Sequence, residues 1–465
     1  MRTPEERTRL MGEGRIKPVL AGLAGPSIVA MLSNALYNLV DAAFIGRLGT
    51  GAIGAVAVVF PITEVIVGIG LTFGLGGASY ISRALGAGNR EQANRAATTA
   101  LFMAAAVGVA AAVAGLIYLR PLLRLFGATD TILPYAENYA RILVIGAPII
   151  AVRMTLNNIV RAEGNARLSM IAMMTGAGLN IVLDPIFMFW LGLGIQGAAL
   201  ATVVSQIVAE GLLVWYFFRR HSYLRIHPRF FTLERQLNWE VLKIGIPTLI
   251  RQLFTSFAVA LLNNAAAAYG DAAVASIGLS FRILFLGMFP VFGFAQGFQP
   301  LAGYNYGARR YDRLFEVIRI GLRWATLFSV LFTVFIQLAA PLIVRVFSDD
   351  PDVIRIATLN VRAFHALFVF FGAAVIFNVL FQALGRGLPA AVLSMARQGI
   401  FLIPAIVVLP RIFGLAGVLF TQTFADFFTI ITTAFFALRV VGELRREART
   451  AVFAELPDDA QGESQ

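Results

Sequence analysis

Apolar runs of roughly 20 residues or more recur from Pro18 to Leu438, separated by short polar or glycine-bearing stretches. Runs of this length cross a bilayer as helices, and they lack the residue-by-residue alternation of a barrel wall. Backbone groups in lipid must pair within their own segment, so the pattern predicts an all-α polytopic membrane protein. Twelve spans follow, at 18–46, 52–82, 94–119, 132–160, 167–190, 195–218, 239–267, 273–303, 314–340, 353–383, 388–409 and 413–438. Several are longer than crossing requires and predict tilt or extension beyond the hydrocarbon. The loops are short except 219–238, which carries Arg219, Arg220, Arg225, Arg229 and Arg235. The expected organisation is an amino-terminal lobe over 1–218, a linker over 219–238, a carboxy-terminal lobe over 239–440 and a charged tail over 441–465, disordered beyond about Phe453.

The second half echoes the first. At an offset of 221 residues Pro26 meets Pro247, Gly49 meets Gly270, Gly76 meets Gly297, Gly86-Ala87 meets Gly307-Ala308, Asn157 meets Asn378 and Gly164 meets Gly385. An offset of 220 then pairs Gly194 with Gly414 and Gly197 with Gly417. Landmarks at one nearly constant spacing imply duplication, so the twelve helices are expected in two pseudo-symmetric six-helix lobes. Repeats with six spans each share one orientation, and the path between such halves is transporter architecture.

Composition agrees with a lipid solvent: 58% of residues are hydrophobic, only 14% are charged and the mean hydropathy is +0.77. The net charge of +12 does not point to nucleic acid, because the excess lies in the loops, where it sets topology. With both termini cytoplasmic in a cell (inner) membrane, only eight of the 38 basic residues fall on the outer side: Arg47, Arg120, Arg124, Arg141, Arg345, Arg355, Arg362 and Arg411. Arg153, Arg251 and Arg282 fall within spans. The absence of cysteine and the presence of only three histidines argue against soft-metal sites and thiol catalysis. Gly74-Leu75-Gly76-Gly77 is no dinucleotide loop, since it lies inside an apolar span with no strand before it.

An ionisable group at mid-bilayer costs about 2.5–3.5 kcal/mol on insertion scales, so each one asks for a purpose. In the first span Asn34, Tyr37, Asn38 and Asp41 share one helical face. The fifth span offers Asn180 and Asp184, and the fourth the pair Asn157-Asn158. The sixth places Thr202 four residues after Ala198, with Gln206 a turn further. Such oxygens suit Na⁺ or a carboxyl-bound proton; the alternative is that they only hydrogen-bond helices together. The repeat favours the first reading, because Asp41 corresponds to Leu262 and Asp184 to Ala405. One cation site is therefore expected, in the first half. Glu64, Glu210 and Asp426 are weaker candidates, with Arg251 and Arg282 as possible partners for such acids. The stripe Phe281, Phe285, Phe289 and Phe292, with methionines including Met154, Met173 and Met188, could accept apolar cations or could simply pack. Arg161 and Glu163, after the fourth span, read as gate or loop-tether residues or as a surface ion pair.

Leu36-Tyr37-Asn38-Leu39-Val40-Asp41, followed by Phe44-Ile45-Gly46-Arg47-Leu48-Gly49 and preceded by Pro26, resembles the first-helix signature of the multidrug and toxic compound extrusion (MATE) family. Gly86-Ala87-Gly88-Asn89 and Arg161-Ala162-Glu163-Gly164 fit the same family, in its DinF-like prokaryotic branch. The resemblance implies a V-shaped, alternating-access exporter of organic cations and amphipathic drugs, driven by H⁺ or Na⁺, monomeric and without a cofactor. It implies coupling through Asp41, Asp184, Asn180 and Thr202, with Tyr37, Asn157 and Ala198 nearby, and any Na⁺ on the first four. Asn34, Asn38, Met173, Gln206 and Phe292 are the expected cavity residues. Rival readings are a lipid-linked saccharide flippase of the same superfamily and a membrane-embedded enzyme. The spans hold no nucleophile-base pair or metal cluster to favour the enzyme, and no Walker motif supports ATP-driven transport.

Overall fold

A computed structural model describes residues 3–219, 221–347 and 350–454. Every regular element among them is helical. The first, α1 (Pro4–Glu13), precedes the expected spans. Thr3 caps it: Thr3 Oγ1 accepts the Glu6 N–H at 3.2 Å, and the Glu6 carboxylate accepts the Thr3 N–H at 3.0 Å. The first half continues with α2 (Ile16–Gly46), α3 (Thr50–Gly86), α4 (Arg90–Ile117), the short α5 (Leu119–Leu125), α6 (Leu133–Ile145), α7 (Ala147–Ala162), α8 (Ala166–Pro185) and α9 (Gly194–Phe218). The second half holds α10 (Arg235–Ala267), α11 (Asp271–Gly307), α12 (Tyr311–Phe347), α13 (Pro351–His365), α14 (Phe371–Ala383), α15 (Gly387–Met395), α16 (Leu402–Leu419) and α17 (Thr421–Ala454).

Among the described residues eleven helices are long and apolar enough to cross a membrane, and the α6–α7 pair makes twelve. The chain is a multi-pass membrane protein. The fourth span is not straight: α6 and α7 meet at 50° across Gly146. Pro148, in the first turn of α7, has no N–H to donate, and its ring displaces the carbonyl four residues back. Single π-helical turns follow α8 (Ile186–Trp190) and join α15 to α16 (Ala396–Phe401). The linker is held in place, since Arg225 N–H donates to Asn94 Oδ1 at 2.8 Å and Thr232 N–H to Thr99 Oγ1 at 3.2 Å, both on α4. The tail expected from residue 441 is still helix up to Ala454, pinned by Arg386 to Glu443 and to Glu447 at 2.9 Å. Its expected disordered end, from residue 455, lies outside the described residues.

The duplication is visible in the backbone. Gly49 and Gly270 have φ of +102° and +93°, Gly164 and Gly385 +87° and +71°, and Gly194 and Gly414 +55° and +59°. These left-handed positions end one helix or begin the next in each half. Leu262 and Ala405, the twins of the two acids, are buried in apolar surroundings. Repeat-related glycines also form the seam between halves, where α2 packs on α11 and α3 on α10. A Cβ on Gly76 would lie 2.1 Å from the Val241 carbonyl oxygen, and one on Gly297 2.5 Å from Ala24 Cα. At the face bearing α1 and the end of α17, a Cβ on Gly86 would lie 2.0 Å from the Tyr304 oxygen and one on Gly307 2.0 Å from the Arg83 oxygen. Only glycine lets helix backbones approach this closely. Helix α1 also bridges the halves. It sends Arg7 to Tyr216 at 2.8 Å and takes Asn305 on Met11 at 3.1 Å and Arg310 on Gly12 at 2.6 Å.

Candidate ion and substrate site

Helices α2, α8 and α9 bring the acidic cluster together inside the first half. Asp184 and Asn180 are buried on α8, one turn apart. Asn180 Nδ2 donates to Asp184 Oδ1 at 3.1 Å and to Thr202 Oγ1 on α9 at 3.5 Å. Asp41 on α2 stands at hydrogen-bonding range of Asp184, so the two carboxyl groups face each other. Asp41 Oδ1, Asp184 Oδ2 and Asn180 Oδ1 are buried and have no hydrogen-bond partner among the described residues. Three acceptor oxygens without donors, beside two acids without a basic partner in direct contact, are an arrangement that a proton or a small hard cation could satisfy.

Tyr37 lies in the field of both acids and of Arg153. A second phenol, Tyr139 on α6, is buried in the same field and was absent from the expected set. The signal available in the sequence was its repeat twin Asn360, which is also polar and buried. Ala198 is fully buried in the apolar cluster with Ile45 and Met188, so its side chain contributes packing only. Asn157 belongs to a different group. It bonds Arg161 and accepts from Ser169 Oγ at 2.6 Å, while Arg161 also donates to Asn158 at 2.7 Å and to Ser169 at 2.9 Å.

Of the expected cavity residues, Asn34, Met173 and Gln206 are half-buried and Asn38 is exposed. Phe292 packs edge-on against Phe371 at 5.8 Å, on the core of the second half. The phenylalanine stripe stacks on itself, Phe281 on Phe285 at 6.2 Å and Phe285 on Phe289 at 6.1 Å. Arg161 and Glu163 are not a surface ion pair. Both are buried, and they bond separate partners. Glu163 accepts from Tyr216, from Ser222 at 2.6 Å and from the Tyr223 N–H at 3.1 Å, fastening the start of the linker. Burial pushes this carboxyl, just past the end of α7, above the ordinary glutamate range.

The weaker acids have partners. Glu64 accepts from Gln252 across the seam and lies in the field of Arg251. Glu210 lies in the field of Arg153. Asp426 does not pair with Arg282, which is exposed. Its partner is Arg397, at 2.7 and 3.4 Å, with Gln422 donating at 2.9 Å. The Arg397 guanidinium also lies 4.7 Å from the Phe371 ring centre. Arg397 sits in the π-helical turn of the eleventh span, and the sequence reading overlooked it. An arginine inside an apolar run, with an acid inside the next span, was the usable signal.

The MatE family profile matches residues 26–186 and again 247–408, two stretches that repeat the offset read from the glycines. Multidrug export protein MepA of Staphylococcus haemolyticus (strain JCSC1435) is 30% identical over 443 residues, covering 95% of this chain and 96% of that one. MepA of Staphylococcus aureus (strain NCTC 8325 / PS 47) is 28% identical over 407 residues, covering 86% and 89%. A solved structure described as the outward-facing conformation of a multidrug resistance MATE family transporter superposes with a TM-score of 0.88 at 29% identity, covering 94% of this chain and 98% of that one.

Proposed function

Because this chain belongs to the MatE family, and is a membrane transporter rather than an enzyme, we propose that it exports amphipathic or cationic drugs in exchange for H⁺ or Na⁺. One observation carries the proposal: Asp41 and Asp184 face each other beside Asn180 and Thr202, with three buried acceptor oxygens left without donors. Two carboxylates in contact cannot both stay charged in a low-dielectric interior, so the pair holds a proton or shares a cation.

On this reading the termini are cytoplasmic and the halves close on the cytoplasmic side, where the glycine seam lies. Loading the pair with a cation alters α2, whose backbone ladder Pro26 already interrupts. The change biases one arrangement of the halves and lowers affinity for drug. One charge moved through 100 mV supplies about 2.3 kcal/mol, roughly a 50-fold concentration ratio. The Arg397–Asp426 pair is already neutral, which supports coupling through the first half alone.

The test is efflux from proteoliposomes under separately imposed proton and sodium gradients, using the parent, Asp41→Asn and Asp184→Asn. Whichever gradient drives export by the parent identifies the ion, and both variants should lose that driven export while expressing and folding normally. Undiminished gradient-driven export in both would remove the pair from the mechanism.

A further inference from the structure

A cavity lies at the face bearing α1 and the end of α17, far along α3 and α11 from the acid pair. It has a volume of about 790 Å³ and opens to solvent, and both halves line it. Tyr80 and Arg83 come from the end of α3, Tyr306 from the end of α11, Arg309 from the turn after it, Tyr311 from α12 and Arg446 from the extension of α17. Glu447 is its only acid, and Arg386 already holds that carboxylate at 2.9 Å. Arg83 is partly committed, donating to Glu240 at 2.9 Å and to the Ser79 carbonyl at 3.2 Å. Among the described residues the Arg309 and Arg446 side chains make no hydrogen bond or ion pair. The cavity therefore presents two uncompensated guanidinium groups and a third nearby, ringed by three phenols.

Arg309 is also held in an unusual conformation. Its φ is +55°, and it is the only non-glycine residue with positive φ among the described residues. The position ends α11 with the same pair of bonds that ends α3. Arg309 N–H donates to the Tyr306 carbonyl and Arg310 N–H to that of Asn305, as Gly88 and Asn89 do to Leu85 and Ala84. The repeat twin is Gly88, at φ +74°, the residue this geometry favours. An arginine stands where glycine would relieve strain, and the gain is a long cationic side chain on the cavity rim.

We propose that this cavity binds a phosphate-bearing anion, which clasps the two halves together at the face bearing α1 and the end of α17. Guanidinium groups are suited to phosphate oxygens, whereas the Tyr80 hydroxyl already donates to Gln92 at 3.0 Å and that of Tyr311 to Glu447 at 3.5 Å. The cavity sits at the ends of the membrane-spanning helices α3 and α11, so the phosphate can come from a headgroup or from a soluble compound. Because the lining comes from both halves, the occupied cavity favours the arrangement in which Gly86 lies against Tyr304 and Gly307 against Arg83.

The test is thermal unfolding of the full-length purified protein, followed by tryptophan fluorescence at constant ionic strength. One arm adds inorganic phosphate in detergent; the other compares nanodiscs of phosphatidylglycerol with nanodiscs of phosphatidylcholine. The parent should gain on the order of 2 °C at a saturating level of at least one anion. R309G should unfold at the same or a higher temperature without anion, yet lose most of the anion-dependent gain, and R446Q should lose part of it. A gain only in phosphatidylglycerol assigns the site to a headgroup, and a gain only with inorganic phosphate assigns it to a soluble ligand. No gain in either arm, or an equal gain in the parent, R309G and R446Q, overturns the proposal.

Discussion

Gly86→Ala tests whether the glycine seam sets the balance between arrangements of the two halves. The new Cβ would sit 2.0 Å from the Tyr304 carbonyl oxygen, 2.8 Å from its carbon and 2.9 Å from the Ala308 nitrogen. All three are backbone atoms, so no side chain can swing aside. Ordinary contact begins near 3.4 Å, so the ends of α3 and α11 must separate by about 1.4 Å. Overpacking of this kind costs about 1–3 kcal/mol. That cost falls only on the arrangement in which the two ends touch, so the population moves away from it by roughly 5- to 150-fold. The chain contains no cysteine, so spin labels can be placed freely. Glu91→Cys on α4 and Arg449→Cys on α17, both exposed, report the separation by pulsed electron paramagnetic resonance. The label distances should broaden and lengthen in Gly86→Ala. Gly22→Ala, whose Cβ meets nothing within 4 Å, should leave them unchanged. Superimposable distributions and equal unfolding temperatures for the parent and Gly86→Ala would refute the reasoning.

Three further outcomes are expected. Asp426→Leu strands the buried Arg397 guanidinium and should cost about 3–5 kcal/mol in detergent unfolding, most of it recovered by adding Arg397→Met. Arg161→Lys cannot reach Asn157, Asn158 and Ser169 together and should cost about 1–3 kcal/mol, read as a fall in unfolding temperature. For Glu163 the folded carboxyl titrates above its ordinary value of 4.5, so the folded state binds more protons than the unfolded state in the window just above that value. Stability then falls as pH rises through the window. Relative to Glu163→Gln, the parent should gain on acidification toward pH 5, and a flat difference in unfolding temperature between pH 5 and 8 would contradict the assignment.

The acid pair could be anticipated because its logic is one-dimensional. Asp41 shares a helical face with Tyr37, Asp184 lies one turn from Asn180, and neither acid has an acidic twin in the other half. The misses were of another kind. Asn157 looked like a member of that site until Arg161 and Ser169 claimed its amide. Asp426 looked like a match for Arg251 or Arg282 because its partner Arg397 is 29 residues away, on the preceding span, in a π-helical turn that apolar periodicity does not mark. The bend at Gly146 was written in Pro148, but a hydropathy run reads through it.

Span number, the duplicated frame and the confinement of the acids to the first half were determined by the sequence alone. Each depends on residue type and spacing along one chain, and lipid admits few backbone solutions for such runs. Tertiary structure decided which polar groups come together: Asp41 with Asp184, Tyr139 in the field of both, Arg397 with Asp426, and three arginines around one cavity shared by the halves. Those pairings depend on how helices rotate and cross, and the glycine seam sets that by letting backbones approach where any Cβ would hold them apart.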